Sequence, residues 1–193
     1  MKQITIFCGS SSGNETVFVE QAKILGKLLV KQKIDLVYGG AKIGIMGAVA
    51  DAVLESGGKV IGVIPTFLRT KEVAHYQLTE LIVVETMHER KMKMNELSDG
   101  IIALPGGFGT LEELFEILTW AQLGLHQKPI GLLNVNGFYD SLIAMIQTTV
   151  DKGFLKELDQ QRLLISDNAE ELLQKMNSYQ APFVGKWISD ETT

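Results

Sequence analysis

The sequence is poor in cysteine and in positive charge. Its 193 residues include a single cysteine, Cys8, so no disulfide can form within the chain, and such cysteine usage is typical of a reducing compartment. Cys8 ends a short apolar run, where we interpret it as a small buried side chain and not as a nucleophile. The formal net charge is −5, and we therefore expect no nucleic-acid-binding surface.

Long hydrophobic runs are absent as well. No apolar stretch approaches the ~20 residues that a membrane-spanning helix needs, so we expect no membrane association. The chain starts with Met1-Lys2-Gln3-Ile4 and enters a strand pattern at once, without the pattern of a secretory signal peptide. These features together predict a cytoplasmic protein.

Common motifs of nucleotide-binding and metal-dependent enzymes are missing. The chain contains neither the G-x-G-x-x-G dinucleotide pattern nor the Walker sequence G-x-x-x-x-G-K-[ST]. Its three histidines, His75, His88 and His126, are scattered and form no H-E-x-x-H pattern, so we expect no metal site. A Ser-His-Asp hydrolase with a G-x-S-x-G elbow is not expected either.

Short apolar runs alternate with helical patterns along the chain. Runs rich in isoleucine, leucine and valine predict strands at residues 3–8, 34–38, 59–64, 81–84, 101–104, 129–135 and 163–166. Helical spacing between them predicts helices at residues 18–29, 45–55, 86–97, 111–125, 138–150 and 169–176. Continuous apolar strands are typical of a parallel sheet that is buried on both faces. We predict an α/β fold, a Rossmann-like doubly wound parallel sheet with helices on both faces, as a single domain at residues 1–179 with a C-terminal tail at 180–193.

Three glycine-rich turns follow predicted strands, at residues 9–13, 39–47 and 106–109. Glycine can serve the geometry of a tight turn alone, so one such turn would be weak support for a ligand site. Because the carboxyl ends of parallel strands meet at one edge of a sheet, three turns together favour a ligand that carries phosphate.

The third turn lies in a strand–turn–helix pattern that spans residues 100–125. Its glycines allow close approach of a ligand and positive φ angles, and the N-terminus of the following helix favours an anion. This pattern predicts a phosphate cradle with Glu113 beside it. Thr110 and Glu113 also have the spacing of a capping box, and the local sequence alone favours that structural role. A carboxylate that acts on a substrate is the alternative.

The predicted helix at residues 86–97 carries an arginine on an apolar stripe. Helical spacing places Arg90 on one face with Met87 and Met94, whereas Lys91 and Lys93 point elsewhere, as on a solvated face that begins with a Thr86–Glu89 capping box. An arginine in apolar surroundings needs an acceptor because its charge does not neutralise. That partner is either a structural carboxylate or a substrate.

Two of these stretches carry a family resemblance. Residues 87–91, Met-His-Glu-Arg-Lys, and 105–113, Pro-Gly-Gly-Phe-Gly-Thr-Leu-Glu-Glu, resemble motifs of the Lonely Guy family, which are cytokinin riboside 5′-monophosphate phosphoribohydrolases formerly labelled lysine decarboxylases. The resemblance runs from the Gly9-Ser10-Ser11 turn to about Leu155. The P-G-G-x-G-T-x-x-E pattern at this distance from an arginine is highly specific.

The resemblance implies a set of site residues. Arg90 and Glu113 would be the catalytic pair, and both would also contact substrate. The other implied substrate-binding residues are Ser10, Gly40, Glu72, Lys91, Gly106, Gly107, Phe108, Gly109, Thr110, Leu111, Glu112 and Thr119. The family resemblance further implies no metal, no cofactor and a homodimer.

The predicted function is hydrolysis of the N-glycosidic bond of an adenine-type nucleoside 5′-monophosphate, either AMP or an N6-prenylated relative. One alternative is a nucleotide-binding protein that cleaves nothing. Another is a lysine decarboxylase, for which Lys42 or Lys91 would have to hold pyridoxal phosphate. The helix at 111–125 is apolar nearly all round, which suits a dimer interface but equally a deeply buried core helix.

Overall fold

The computed structural model describes residues 1–69 and 74–182, and in these ranges the chain forms one parallel sheet with helices on both faces. The strands are β1 Gln3–Phe7, β2 Asp35–Tyr38, β3 Val60–Pro65, β4 Glu80–Val84, β5 Gly100–Ala103, β6 Ile130–Leu133 and β7 Leu163–Ser166. The helices are α1 Thr16–Lys31, α2 Gly44–Glu55, α3 Met87–Leu97, α4 Phe108–Leu123, α5 Asp140–Asp151, α6 Glu157–Gln160 and α7 Ala169–Asn177. Single 3-10 turns lie at Thr66–Leu68 and Val135–Gly137.

The strand order confirms the predicted doubly wound α/β fold. The sheet runs β4-β3-β2-β1-β5-β6-β7, and each neighbouring pair is parallel. The chain winds outward from β1 to β4 and then returns to place β5 on the other side of β1. The point where the winding direction reverses therefore lies between β1 and β5, which is where ligands bind in such folds. Pairing of Phe7 with Ala103 and of Ile6 with Tyr38 brings the turns after β1, β2 and β5 to one edge.

Two apolar layers hold the helices on the sheet. One layer packs α1, α2 and α7 on one face through residues such as Leu25, Val49 and Leu172. The other packs α3, α4 and α5 on the opposite face through Met94, Ile117 and others. Strand residues contribute alternately to the two layers, which explains why the strands read as continuous apolar runs.

Helix α4 begins earlier than predicted, and the predicted Thr110–Glu113 capping box is wrong. The helix starts at Phe108, and Gly107 occupies the N-cap position with extended backbone (φ −94°, ψ −152°) and no side-chain cap. The Gly107 carbonyl accepts the first helical hydrogen bond, from Leu111 N at 3.1 Å. Because Thr110 already lies in the first turn, it cannot cap the helix.

The remaining differences are small. Pro65 was predicted to stop β3 and is its last residue, and the four-residue α6 was not predicted because one turn shows no periodicity. The boundary of the domain at residue 179 stays a prediction, and most of the predicted tail, residues 183–193, lies outside the described residues. None of the helices in the described ranges has the length and apolar character needed to cross a membrane.

Candidate active site

A cavity of about 280 Å³ lies at the switch point of the sheet. Its floor is the end of β1 with Cys8, Gly9 and Ser10, and its walls are Gly39 after β2, helix α3 with Arg90, and the first two turns of α4. All three predicted glycine turns contribute residues to it directly. A second cavity of about 300 Å³ adjoins it and shares Gly9, Ser10 and Gly107.

Arg90 is buried in the wall of the first cavity and oriented by backbone carbonyls. Its Nε donates to Val63 O and its Nη2 to Gly39 O, both at 3.1 Å. Its Nη1 lies 3.8 Å from Oε1 of Glu113. The sequence predicted that Arg90 needs an acceptor. The structure provides two neutral acceptors, which orient the guanidinium, and one nearby carboxylate. Neutral acceptors hold a guanidinium without cancelling its charge, so its field acts in the cavity.

Gly39 makes this position of Arg90 sterically possible. A Cβ on Gly39 would overlap Nη2 of Arg90. The predicted residue of this turn was Gly40, which does not line the cavity: it has φ +78° and its carbonyl accepts a hydrogen bond from His75 N at 2.9 Å. Sequence reasoning missed Gly39, although it lies in the same glycine pair.

Glu113 faces Arg90 from the second turn of α4 and is only 8% exposed. Together the two side chains place one positive and one negative group at the same wall. Burial, and next the charge of Glu113, raise the pKa of the neighbouring Cys8 thiol, while Arg90 lowers it less. The thiol therefore stays neutral, which agrees with the interpretation of Cys8 as a small buried side chain, here one that lines the cavity.

The glycine turn before α4 is open on the cavity side. A Cβ on Gly107 or Gly109 would meet no atom within 4 Å, whereas a Cβ on Gly106 would overlap Oγ1 of Thr110. None of these three glycines has a positive φ, so that part of the prediction is wrong. Gly9 N donates to Pro105 O at 3.0 Å and ties the first glycine turn to this one. Neither packing nor φ requires glycine at 107 and 109, and their open side leaves room for a ligand to approach the backbone.

Lys91 was predicted to point toward solvent and is buried instead. Its Nζ lies 2.5 Å from Oε1 of Glu112 and 3.0 Å from Oε2 of Glu116, both on α4. Burial alone lowers the pKa of Lys91, but its hydrogen bonds and charge interactions with the two glutamates outweigh burial and raise the pKa above its ordinary value. The ammonium is therefore charged and held by carboxylates. The predicted Thr86–Glu89 capping box of the same helix does form, with Glu89 N donating to Thr86 Oγ1 at 3.1 Å.

The structure brings together most, but not all, of the predicted site residues. Ser10, Arg90, Gly107, Phe108, Gly109, Thr110, Glu112 and Glu113 line the first cavity, and Gly106 lines the second. Leu111 instead packs on the core. Thr119 lies further along α4 in a separate groove with Phe115 and Ile146, and its hydroxyl donates to Phe115 O at 2.7 Å. Glu72 lies outside the described residues.

Other kinds of site find no support among the residues that the structure covers. Those residues contain no group of three or more histidine, cysteine or carboxylate side chains that could hold a metal ion. Residues 9–13 do read as G-x-S-x-G, contrary to the expectation that this elbow is absent. However, the Ser11 side chain is exposed and its hydroxyl accepts from Gly13 N at 3.2 Å, as in a local turn. Within residues 1–69 and 74–182, Ser11 forms no hydrogen bond with a histidine, as a Ser-His pair would require.

The fold and the cavity define an α/β protein with a candidate ligand site at the switch point of its sheet. A family model described as "Possible lysine decarboxylase" matches residues 46–176. The chain is 47% identical over 195 residues to cytokinin riboside 5′-monophosphate phosphoribohydrolase LOG2 of Arabidopsis thaliana, covering 100% of this chain and 92% of that protein. It is 49% identical over 178 residues to LOG5 of the same plant, covering 92% of this chain and 78% of LOG5. The chain therefore belongs to the family of cytokinin riboside 5′-monophosphate phosphoribohydrolases, as the resemblance indicated.

Solved structures share the fold at lower identity. The molybdenum cofactor binding protein of Rippkaea orientalis aligns with a TM-score of 0.68 at 22% identity, covering 92% of this chain and 97% of that one. The molybdenum cofactor carrier protein of Chlamydomonas reinhardtii aligns with a TM-score of 0.69 at 18% identity, covering 92% and 99%. At these identities the likeness concerns the fold alone.

Proposed function

We propose that the protein hydrolyses the N-glycosidic bond of an adenine-type nucleoside 5′-monophosphate and releases the free base and ribose 5-phosphate. The observation that carries this proposal is the Arg90–Glu113 pair, 3.8 Å apart, in the wall of a cavity that also contains an open helix N-terminus. The close relatives named above act, by their names, on nucleoside monophosphates of this kind.

The phosphate has a site in the glycine turn. Residues 107–110 present the unpaired N–H groups of the first turn of α4 to the cavity, at the positive end of the helix dipole. The absence of side chains at Gly107 and Gly109 allows the phosphate oxygens to approach the backbone. A nucleoside without phosphate loses these contacts, so we expect it to be a poor substrate.

The chemistry takes place beside Glu113. When the bond between the sugar and the base breaks, its electron pair leaves with the base and the sugar acquires oxocarbenium character. A carboxylate at this place stabilises the positive charge. Water then adds to the sugar carbon, and the proton that it loses ends on the departed base, which balances the step. Arg90 holds its direction through Gly39 and Val63, so it orients Glu113 and stabilises negative charge that develops on the leaving base.

Two alternatives have less support. In a protein that only binds nucleotides, Glu113 could be a helix cap, but Gly107 occupies the cap position and Glu113 faces Arg90. A decarboxylase would need a neutral lysine to form a Schiff base with pyridoxal phosphate. Lys91 is held charged by two carboxylates, and the Lys42 side chain is exposed.

The test compares AMP and N6-isopentenyl-AMP with their two ribosides, and measures the released base by chromatography. We expect release from the monophosphates only, and a loss on the order of 10²–10³ in turnover for Glu113→Gln. Glu96→Gln, an exposed glutamate of α3, is the matched control and should keep full turnover. Binding of a monophosphate without any release of base would instead identify a binding protein.

We also propose a cytoplasmic homodimer. On the outward face of α4 the large apolar side chains Phe115 and Leu123 are 43% and 38% exposed, and Leu125 just beyond the helix is 49% exposed. The outer side of α4 thus exposes apolar surface, which a second copy of the chain could cover. The free thiol of Cys8 supports a reducing compartment.

A further inference from the structure

The start of α4 carries more negative charge than a phosphate site should tolerate. Glu112, Glu113 and Glu116 lie within its first three turns, and Glu112 and Glu113 line the cavity. The end of a helix offers the equivalent of about half a positive charge. That is too little to offset several carboxylates near a bound phosphate, because like charges that lie a few ångströms apart repel one another strongly at the effective dielectric of a protein surface.

Lys91 is placed to remove this charge from within the protein. Its ammonium contacts one oxygen of Glu112 and one of Glu116, and its side chain is only 7% exposed. It does not line the cavity, whereas its partner Glu112 does. Its Nζ donates a hydrogen bond to Oε1 of Glu112 and lies 3.0 Å from Oε2 of Glu116, and these two contacts keep it charged.

We propose that Lys91 is a positioning residue that neutralises Glu112 and Glu116 and thereby sets the affinity of the α4 glycine turn for phosphate. This role differs from the direct substrate contact that the family resemblance implies for Lys91. It rests on the proposed function only in that the ligand is a sugar phosphate. Lys91 raises the affinity for phosphate by neutralising Glu112 and Glu116. Without these two carboxylates, Lys91 would not be needed for phosphate binding.

The two roles of Lys91 predict opposite results when the carboxylates are also removed. Lys91→Met leaves Glu112 and Glu116 without their cation, and should weaken binding of ribose 5-phosphate about tenfold and raise KM for AMP by the same factor, with kcat within about twofold. The triple variant Lys91→Met/Glu112→Gln/Glu116→Gln has neither the cation nor the two anions, and should bind ribose 5-phosphate within about threefold of the original protein. Lys91→Arg should retain most of the affinity.

Calorimetry with ribose 5-phosphate measures the affinity, and base release from AMP measures kcat and KM separately. Lys93→Met is the matched control, because Lys93 lies on the same helix, its side chain is 41% exposed, and its Nζ lies 3.5 Å from Oε2 of Glu96. If the triple variant loses as much affinity as Lys91→Met or more, Lys91 contacts the phosphate itself and the inference is wrong. An unchanged affinity in Lys91→Met would overturn it as well.

Two controls distinguish the role of Lys91 from a loss of folding and from a failure of the proposed hydrolysis. Removing one partner of a buried ion pair can destabilise a protein, so thermal midpoints of each variant are measured first. If Lys91→Met does not fold, the triple variant decides alone, since it contains no unpaired charge at this cluster. If the original protein releases no base yet the affinities for ribose 5-phosphate follow the expected order, the proposed hydrolysis fails and the role of Lys91 stands. Failure of the original protein to bind ribose 5-phosphate would overturn the role of Lys91.

Discussion

A Cβ atom on Gly39 would occupy the same space as Nη2 of Arg90, so the arginine reaches its position only because residue 39 has no side chain. The same nitrogen donates to the carbonyl of Gly39 at 3.1 Å. One glycine thus supplies both the space and an acceptor for the guanidinium. The turn after β2 contributes to the site by orienting a side chain from α3.

The first prediction follows from this contact. Gly39→Ala should displace the Arg90 guanidinium and lower the turnover of a nucleoside monophosphate by about a hundredfold, the scale of losing one preorganised electrostatic group. Turnover and thermal unfolding are measured on the same preparation. Gly124→Ala serves as the control, because Gly124 is left-handed (φ +83°) at the far end of α4. That variant should lose stability, by about 1 kcal/mol, with turnover unchanged. Full activity in Gly39→Ala would show that Arg90 does not need this position.

The second prediction concerns the open side of the glycine turn. Gly109→Ala places a methyl group in the cavity without a clash, in the first turn of a helix where alanine is preferred. The variant should therefore unfold at the same or a slightly higher temperature, with a gain of about 0.5 kcal/mol, and yet show a raised KM for the monophosphate. Equal KM values for the two proteins would mean that no ligand approaches Gly109.

Local sequence rules predicted the fold well and the roles of individual site residues less well. The fold class follows from continuous apolar runs and alternation with helices, because these patterns report burial of whole elements. The error at Thr110 and Glu113 arose because capping-box spacing is local, whereas the start of α4 is set by the extended backbone of Gly107. Lys91 was assigned to a solvated face because its partners, Glu112 and Glu116, are 21 and 25 positions away in the chain. Contacts between α3 and α4 depend on the sheet that carries both helices.

Gly39 and Thr119 illustrate the same limit at the level of single residues. The sequence pattern does not show whether Gly39 or Gly40 contacts the side chain of Arg90, because that depends on the position of α3 over the end of β2. Thr119 belongs to the family pattern, but within one chain it lies in the groove beside α5 and not in the cavity with Glu113. The role of Thr119 stays a prediction.

The third prediction is a loss of stability in acid that depends on His126. This histidine is buried behind α4, its Nε2 contacts Ile117 O at 3.1 Å and its Nδ1 accepts from Lys128 N at 3.2 Å. Burial lowers the pKa of His126 below its ordinary 6.5, and the charges of Lys128 and Arg162 lower it further, against the hydrogen bond to Ile117. Below pH 6.5 the unfolded chain therefore binds more protons at His126 than the folded chain does. The contribution of neutral His126 to the free energy of unfolding is intact above pH 6.5 and declines as the pH falls below it.

Denaturant unfolding between pH 5 and pH 8, at fixed protein concentration, checks this dependence. His126→Gln should reduce the acid slope of the free energy of unfolding, since its amide does not titrate. His88→Gln removes an exposed histidine of α3 and should leave the slope as it is. An undiminished slope in His126→Gln would assign the acid sensitivity to another group.

The fourth prediction concerns the outer face of α4. Phe115 is 43% exposed and borders the groove formed with α5 and β7. If a second copy of the chain covers this face, Phe115→Glu buries a charge in the interface and should convert a dimer into monomers of 21.3 kDa. Light scattering after size-exclusion chromatography measures the mass. Met92→Glu introduces the same charge at a similarly exposed apolar residue of α3 and should leave the dimer intact. If the original protein is a monomer, the proposed dimer is wrong. If it is a dimer that Phe115→Glu does not disrupt, the interface lies on another face. A buried charge in an apolar interface costs more free energy than burial of one phenyl ring contributes, so an interface at Phe115 would not tolerate this substitution.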